Sequence, residues 1–331
     1  MSCYSAECLG CERSKEKKFM TDSITVIVPS YRRPDQLAAC LRGIANQDRP
    51  PDEVIVVRRG DDFATARTIE SESFAVREIT VETPGQIFAL RAGVAAANTE
   101  LVAFVDDDAI PNPDWLSRIL AAFEDRSVGG VGGRDVVHQN GRIETGQASD
   151  VGRLTWWGRA VGNHHLGIGP PRRVDILKGC NCAYRREVIG LPFGLRGNGA
   201  EVANDMAMSL FVRSSGADLV YDSQIVVDHF PGVRFDADAR NQSSAQAELD
   251  AVYNVAFVIC STNPSIHLRF RLYHLLVGHR MIPGVLRSLA GIWLREGQSI
   301  ARFLSIQLTV AQATRDAHRR PLQFWRPPDM P

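Results

Sequence analysis

The sequence predicts an α/β protein, with a mostly parallel sheet flanked by helices and a helical C-terminal region. Runs of apolar and β-branched residues at 24–28, 54–57 and 101–105 are typical of strands buried on both faces. Segments with helical periodicity and short loops separate these runs, and that alternation is the pattern of a parallel, doubly wound sheet. From residue 245 onward the apolar spacing predicts helices instead.

The remaining elements of the sheet region follow from turn and helix-start signals. Pro34 is expected to open a helix that ends near residue 46, and Pro84-Gly85 to turn the chain into a helix over 86–97. The glycine-rich run at 129–133 lacks the spacing of a dinucleotide-binding loop, and we interpret it as a strand edge or a tight turn. The other expected elements are a short helix before a strand at 76–81, strands at 174–177, 219–221 and 225–227, and a helix at about 201–214.

Length and composition are those of a globular protein with a full core. The chain has 331 residues, 44% of them hydrophobic and 23% charged, so it can bury a core without disulfides. Residues 1–22 are polar, lack the apolar core of a signal peptide, and are expected to form a disordered arm. Cys3, Cys8 and Cys11 in this arm have no fourth metal ligand nearby. The other cysteines, Cys40, Cys180, Cys182 and Cys260, are expected to be reduced core residues of a cytoplasmic protein.

Charge is unevenly distributed along the chain. Residues 264–331 contain ten Arg, no Lys and three acidic residues, a balance of +7, whereas the whole chain is neutral. Such a region suits an anionic membrane surface, and four of its arginines would fall on one side of a helix if they shared one. The alternative is a helical subdomain whose arginine face is only solvated. No apolar run approaches membrane-spanning length. The four arginines are Arg280, Arg287, Arg295 and Arg302.

Three carboxylates follow the buried run at 101–105. Asp106 and Asp108 are two residues apart, so in extended backbone their side chains point to the same side, while Asp107 points away. In an open α/β sheet, ligands bind at the carboxyl ends of the strands. Two hard oxygen ligands aimed at one point suit Mg²⁺ or Mn²⁺ carrying a phosphate. The alternative is an acidic turn that caps the helix starting near Pro113.

The middle of the sequence carries aromatic and imidazole side chains. Trp156 and Trp157 form a pair that can stack against a sugar ring, and the alternative is that they fill a small core. His164 and His165 have no partner at metal-binding spacing, so we do not predict a metal site there.

Four sequence features, two of them described above, occur in a fixed order along the chain. They are the run Ile-Thr-Val-Ile-Val-Pro-Ser-Tyr at 24–31, the triple Asp at 106–108, the pair Asn204-Asp205, and His229 after a strand. Together they resemble the motifs of family 2 glycosyltransferases, which have the GT-A fold, and the resemblance covers residues 23–231. It implies a nucleotide-binding GT-A domain over 23–233, followed by a helical, arginine-rich region over 234–331.

The resemblance also implies the chemistry of the site. Proteins of this family use a nucleotide-sugar donor, here UDP-, GDP- or dTDP-linked, and a divalent cation, Mn²⁺ or Mg²⁺, and they invert the anomeric carbon. Asp106, Asp108 and His229 would hold the cation, and Asp205 would be the general base for the acceptor hydroxyl. The segment at 178–181 resembles the acceptor side. The sugar would be a hexose or deoxyhexose, and the acceptor a glycan or a lipid-linked glycan.

Donor contacts are expected mainly from the first loops of the sheet. Tyr31 can pack on the base, and arginines can pair with phosphate oxygens. Three positions depart from the family pattern: Arg58 stands where an Asp often reads uracil, Arg91 where Asn is frequent, and Asn204 where Glu is usual. The residues assigned to the donor are Pro29, Tyr31, Arg33, Arg58, Arg91, Asp106 and Asp107.

Other function classes fit the sequence less well. A nucleotidyltransferase acting on a sugar phosphate needs a glycine-rich loop after the first strand, and residues 29–33 contain no Gly. A non-catalytic nucleotide-sugar or membrane-binding scaffold has no need of Asp106, Asp108, Asp205 and His229 together. Nucleic acid is not expected as a partner, because the aromatics of the C-terminal region are not interleaved as a stacking platform. We therefore predict a cytoplasmic inverting glycosyltransferase, peripheral at the inner face of the plasma membrane.

Overall fold

The computed structural model describes residues 22–197, 199–235, 244–293 and 300–328. Most of the arm predicted for residues 1–22, with its three cysteines, lies outside these ranges. Asp22 is described, and here the prediction of a disordered arm is wrong. Its buried carboxylate accepts hydrogen bonds from Arg126 and Arg185, so the chain is fixed just before the first strand.

Strands and helices alternate through the first third of the described chain, and helices follow one another at its end. The strands are β1 Ile24–Pro29, β2 Glu53–Arg59, β3 Arg77–Val81, β4 Leu101–Val105, β5 Ala109–Pro111, β6 Val128–Gln139, β7 Arg142–Ile143, β8 Arg153–Leu154, β9 Ala160–Val161, β10 Arg172–Val174, β11 Asn181–Arg185, β12 Leu191–Pro192, β13 Asp218–His229 and β14 Phe324–Trp325. The α-helices are α1 Pro34–Ala45, α2 Phe63–Glu70, α3 Gln86–Ala96, α4 Trp115–Ala122, α5 Asn204–Ser214, α6 Ala245–Thr262, α7 His267–Leu276, α8 Val285–Trp293 and α9 Ile300–Arg319.

A central sheet organises the molecule, with strand order β10-β13-β6-β11-β4-β1-β2-β3. Strand β1 runs parallel to both β2 and β4, and β6 runs parallel to β13. Strand β11 is antiparallel to β4 and β6 and joins the two parallel groups. Most residue pairings are parallel and helices flank the sheet, so the predicted fold class is confirmed.

The apolar runs at the centre of the sheet are buried on both faces, as their composition predicts. Every residue of β4 and the first five of β1 are buried. One face packs against α1 and α4, and the other against α3 and α5. The four cysteines assigned to the core, Cys40, Cys180, Cys182 and Cys260, are buried and free.

The glycine-rich run at 129–133 is neither an edge nor a turn, so that interpretation was wrong. It lies inside β6, between β11 and β13. Glycine is required there by close packing: a Cβ on Gly133 would lie 1.8 Å from the carbonyl oxygen of Ile225, and one on Gly130 would lie 2.7 Å from the ring of Tyr184. A glycine run without phosphate-loop spacing thus marks close packing of neighbouring strands.

Four other elements differ from the predictions. Strand β11 was missed because its sequence lacks a clean apolar run, and the strand predicted at 174–177 ends at Val174. The two short strands predicted at 219–221 and 225–227 are one strand, β13, with an irregular register between Asp222 and Val226. Helix α5 begins at Asn204 rather than near 201, because Glu201 and Ala203 have positive φ angles of 47° and 76°.

The C-terminal helices share a core with the sheet domain. Val258 of α6 and Val310 of α9 belong to one buried cluster with Met206 of α5. The condition for a one-sided arginine face, a single shared helix, is not met: Arg280 lies in the turn before α8, Arg287 in α8, and Arg302 in α9. Arg295 lies outside the described residues. Among the helices of the described ranges, none is long and apolar enough to cross a bilayer.

Candidate active site

The candidate site lies at the carboxyl edge of the parallel strands, where β1, β2 and β4 end side by side. An open cleft of about 840 Å³ is found there. Parallel strands bring their carboxyl ends to one edge, so residues distant in sequence meet in it. Its lining includes predicted donor and cation residues, namely Pro29, Tyr31, Arg33, Arg58, Asp106 and Asp108.

The end of β4 and the short strand β5 place the two carboxylates beside a histidine. Strand β5 pairs antiparallel with the end of β13, so that Ala109 lies opposite His229. As a result, one ligand atom each from Asp106, Asp108 and His229 lie within 4.8 Å of one another. The acidic turn does not cap a helix, because α4 begins only at Trp115, beyond β5.

Asp107 lies behind the cleft instead of in its lining. Its carboxylate is fully buried, and Arg33 forms ion pairs with both Asp107 and Asp108 at 2.8 Å each. Burial raises the pKa of Asp107 to about 7, although the Arg33 guanidinium opposes that shift. Asp107 has no exposed surface and holds Arg33 in place, and its assignment to the donor stays a prediction.

His229 lies between two carboxylates. Its Nε2 is 3.3 Å from Asp108 Oδ1, and its Nδ1 is 3.6 Å from Asp135 Oδ2. Asp135 reaches the ring because β6 and β13 are parallel neighbours, with Asp135 opposite Val227, two residues before His229. Burial disfavours the charged forms of all three groups. The contacts between the imidazole and the two carboxylates nevertheless raise the pKa of His229 and lower the pKa values of Asp108 and Asp135.

Sequence reasoning missed Asp135. The ammonium of Lys178 pairs with it, and Asp135, Cys180 and His229 bring one ligand atom each within 4.8 Å. Burial opposes the charge on Lys178, but the surrounding anionic groups raise its pKa. Asp135 stands inside a strand, so no local signal marked it, and only the pairing of β6 with β13 brings it to the site.

The residues of this site fit a divalent cation. Within the described chain, Oδ1 of Asp108 and both ring nitrogens of His229 are buried and make no hydrogen bond of good geometry. Buried polar atoms normally make hydrogen bonds, so atoms that have only ion-pair contacts with one another are available as ligands for a cation. Burial and the neighbouring Asp108 raise the pKa of Asp106, which means that its charged form is disfavoured. A bound cation would stabilise that charged form. The carboxylate oxygens of Asp106 and Asp108 are suitable ligands for Mn²⁺ or Mg²⁺.

Asp205 stands at the start of α5, half-buried and outside the lining of the cleft. The backbone amide of Met206 donates to its Oδ1 at 2.8 Å, and that of Gly179 donates to its Oδ2 at 3.4 Å. Asp205 therefore faces the segment at 178–181.

Hydrogen bonds connect the start of α5 to the carboxylate cluster. The side-chain amide of Asn204 donates to Gln86 Oε1 at 3.1 Å, and that of Gln86 lies 3.4 Å from Asp106 Oδ1. The carboxylate of Glu201 accepts from the backbone amide of Ile87 at 2.9 Å. Sequence reasoning missed Gln86, which lines the cleft at the first turn of α3.

Comparison with known protein families agrees with this arrangement. The family model described as Glycosyl transferase family 2 matches residues 25–190, half of the chain. The chain belongs to this family. The matched region contains β1 to β4, the triple Asp and Asp135, and it ends before Asp205 and His229.

Curated relatives and a solved structure are similar to parts of this family 2 chain. It is 27% identical over 125 residues to Glycosyltransferase AglE of Haloferax volcanii, covering 36% of this chain and 41% of that protein. It is 31% identical over 114 residues to the pre-mycofactocin glycosyltransferase of Mycobacterium tuberculosis, covering 32% and 22%. These matches span less than half the length of either relative. A mannosyltransferase from Pyrobaculum calidifontis, solved in complex with GDP-Man and Mn²⁺, aligns with a TM-score of 0.57 and 18% identity over 91% of this chain and 88% of its own. That likeness confirms the GT-A fold.

The positions that depart from the family 2 pattern lie in different surroundings. Arg58 lines the cleft and donates from Nε to Glu78 at 2.8 Å. Arg91, also assigned to the donor, does not line the cleft. Its guanidinium stacks 4.1 Å from the ring centroid of Phe193 and 5.6 Å from that of Trp325. Arg91 thus packs on aromatic side chains that follow β12 and form β14, and its assignment to the donor stays a prediction.

Tyr31, which is predicted to pack on the donor base, lines the cleft. The guanidinium of Arg59 lies 3.8 Å from its ring centroid, and Phe235 meets its edge at 6.1 Å. Arg32, the next residue, has a positive φ of 57°, a strained geometry at the turn that aims Tyr31 and Arg33. Strain of this kind is common at ligand-binding sites.

The aromatic and imidazole residues of the middle region do not enter the cleft lining. Trp156 and Trp157 are 60% and 44% exposed, so the alternative that they fill a core is wrong. His164 is buried and its Nε2 lies 2.9 Å from the carbonyl oxygen of Ile176. Among the described residues, neither His164 nor His165 belongs to a group of side chains that could hold a metal ion.

Proposed function

We propose that the chain is an inverting glycosyltransferase that moves a sugar from a nucleotide-sugar donor to a hydroxyl group. The observation that carries this proposal is the convergence of Asp106, Asp108 and His229 beside a cleft that Tyr31 and Arg58 line. Hard ligands at the carboxyl edge of a parallel sheet suit a diphosphate with its cation, and an aromatic ring with arginines suits the rest of a nucleotide. The sugar is proposed to be a hexose or deoxyhexose.

Different residues of the cleft are proposed to bind different parts of the donor. A Mn²⁺ or Mg²⁺ ion, when bound, supplies positive charge that stabilises the leaving diphosphate. Arg33 is held by Asp107 and Asp108 and so adds a fixed cation to the cleft lining. Arg58 occupies a position where an acidic residue often recognises uracil in this family. Because that residue is absent here, the base is not specified, and the proposed donor classes are UDP-, GDP- and dTDP-sugars. The complex of the similar mannosyltransferase with GDP-Man and Mn²⁺ supports a nucleotide sugar and a divalent cation.

Asp205 is proposed as the general base. It lies in the first turn of α5 and faces the segment at 178–181. A carboxylate there can take the proton of an acceptor hydroxyl during attack on the anomeric carbon. The acceptor is proposed to be a glycan or a lipid-linked glycan, used by a peripheral protein at the cytoplasmic face of the plasma membrane.

A thermal-shift screen tests the donor and the cation together. The chain is mixed with UDP-, GDP- and dTDP-sugars, each with Mn²⁺ and each with EDTA. Since a ligand that binds only the folded state raises the melting temperature, one donor class is expected to raise it with Mn²⁺ and not with EDTA. Equal shifts with and without metal would contradict the cation assignment.

The Asp205→Asn variant tests the base. The amide keeps the size of the carboxylate but cannot accept the proton, so turnover is expected to fall roughly 10²–10⁴-fold with donor binding retained. If Asp205 only caps α5, the cost is at most about 1 kcal/mol of stability and turnover is nearly intact. Asp218→Asn, at the other end of β13 from His229, is the matched control. A folded Asp205→Asn variant with turnover within a few-fold of the parent would move the base to Glu201 or elsewhere.

A further inference from the structure

Helices α7 and α8 form a helical hairpin that exposes leucines along one stripe. On α7 the stripe consists of Leu268, Leu272, Leu275 and Leu276, spaced i, i+4, i+7 and i+8. Leu268 is 70% exposed, and each of the others is close to half exposed. On α8, Leu286 and Leu289 are 62% and 60% exposed. Exposed leucines on two consecutive helices are typical of an interaction site.

The opposite face of the hairpin is anchored to the molecule. Phe270 and His274 of α7 are fully buried, and Phe270 belongs to the core that α6 and α9 share. Gln307 of α9 donates to the carbonyl oxygens of His274 and Pro283 at 3.0 Å each, which ties α7 and the turn before α8 to α9. The leucine stripe therefore lies on a fixed element that presents it to the outside.

The charge around the stripe has one sign. Residues 264–293 contain four Arg and no Asp or Glu. Arg271, Arg280 and Arg287 are exposed, and Arg269 is partly buried. A second copy of this chain docked through the same surface would bring eight arginines together without a carboxylate between them, and that arrangement is unfavourable. An anionic partner is the complement of this surface.

Two tryptophans border the stripe. Trp157 stacks on Tyr273 of α7 with ring centroids 6.1 Å apart and an interplanar angle of 22°. The guanidinium of Arg269 lies 4.6 Å from the ring centroid of Trp156. Both rings are largely exposed, on the turn between β8 and β9. Exposed tryptophans beside arginines are typical of the boundary between lipid headgroups and acyl chains.

We propose that the α7–α8 hairpin, with Trp156 and Trp157, is a surface that binds an anionic lipid bilayer. The leucine stripe enters the boundary of the acyl chains, while the arginines contact the negatively charged headgroups. This surface deepens the peripheral location proposed above, because it names the residues that make the contact. It rests on exposure and charge alone and does not depend on glycosyl transfer.

Vesicle flotation with the full chain tests the proposal. Vesicles of phosphatidylcholine alone are compared with vesicles containing phosphatidylglycerol, at low and high salt. Binding is expected only with the anionic lipid, to weaken with salt, and to shift tryptophan emission to the blue. Leu272→Ser with Leu276→Ser should weaken binding at least about tenfold per residue, and Arg271→Ser with Arg287→Ser about fivefold per residue.

The matched control changes an exposed apolar residue and an exposed arginine elsewhere. Phe63, 68% exposed, and Arg67 lie on α2, and Phe63→Ser with Arg67→Ser should bind vesicles like the parent. Turnover with a water-soluble acceptor should stay unchanged in every variant, which separates this proposal from that on catalysis. Equal binding to both vesicle types, or equal loss in the control, would overturn it. The proposal would also be overturned if Leu272→Ser with Leu276→Ser left vesicle binding unchanged and instead converted a dimer of the chain into a monomer in analytical ultracentrifugation.

Discussion

The carboxylate cluster, Asp106, Asp108 and His229, and the α7–α8 hairpin place unusual side chains in opposite surroundings. The cluster holds charged groups where water is scarce, with Asp108 and His229 both buried. The hairpin holds leucines where water is abundant. Each arrangement costs free energy in the isolated chain, because buried charges lose hydration and exposed leucines order water. Both are therefore expected to have a partner, a cation for the first and a bilayer for the second.

The two regions also differ in how they are built. The cluster is assembled from three strand ends and held by ion pairs with Arg33 and contacts with Asp135. The hairpin is local in sequence, and a buried face carrying Phe270 holds it. A substitution in the cluster should thus affect ligand binding, whereas one in the hairpin should affect either folding or membrane binding, depending on its face.

The largest effect is expected from Asp108→Asn, which removes a charged ligand from the cluster. An amide oxygen is a weaker cation ligand than a carboxylate, and Arg33 keeps its other partner, Asp107. Metal-dependent binding of a nucleoside diphosphate should fall below detection in calorimetry with Mn²⁺, while the fold is retained. Asp218→Asn should bind like the parent. Unchanged affinity in Asp108→Asn would show that the cluster does not hold the cation.

The two faces of α7 give the sharpest contrast within the hairpin. Phe270→Ala removes a fully buried ring and should lower the free energy of unfolding by about 3–5 kcal/mol. Leu272→Ala, on the exposed stripe, should change it by less than about 0.5 kcal/mol. Urea denaturation followed by circular dichroism measures both values. Similar losses from the two substitutions would mean that the stripe is packed in solution, and that the hairpin is not presented to a bilayer.

The smallest of these effects is expected from Asp135→Asn, which leaves the three cation ligands in place. Asp135 contacts the ring nitrogen of His229 that faces away from Asp108, so it orients the imidazole. Loss of such a carboxylate typically weakens metal binding about 10- to 100-fold. Titration of Mn²⁺ by electron paramagnetic resonance measures this affinity without turnover.

Two further variants make the Asp135 test specific. Asp135→Glu should recover part of the affinity, because it restores the negative charge. Asp228 lies next to His229 on β13, and its carboxylate pairs with His138 of β6. Asp228→Asn should therefore leave the Mn²⁺ affinity near that of the parent. If Asp135→Asn and Asp228→Asn bind Mn²⁺ equally well, Asp135 does not position His229.

The sequence by itself determined the strands, helices and chemistry that are local in the chain. Strands β1 and β4 are read from runs of apolar residues, and α1 and α3 from the prolines and glycine before them. Asp106 and Asp108 could be placed at a ligand edge because they directly follow a buried strand. Such signals are contained within a few residues, where periodicity and turn chemistry act.

Tertiary structure alone decided which distant residues meet and which faces stay exposed. Asp135 reaches His229 only through the pairing of β6 with β13, and Gly133 is a glycine because the backbone of Ile225 lies against it. Arg91 matched a donor position but packs on Phe193. The exposure of the leucines of α7 could not be predicted, because a sequence shows that a helix face is apolar but not which element covers it. Strand order and helix docking settle these points, because long-range packing is the sum of contacts that no single segment contains.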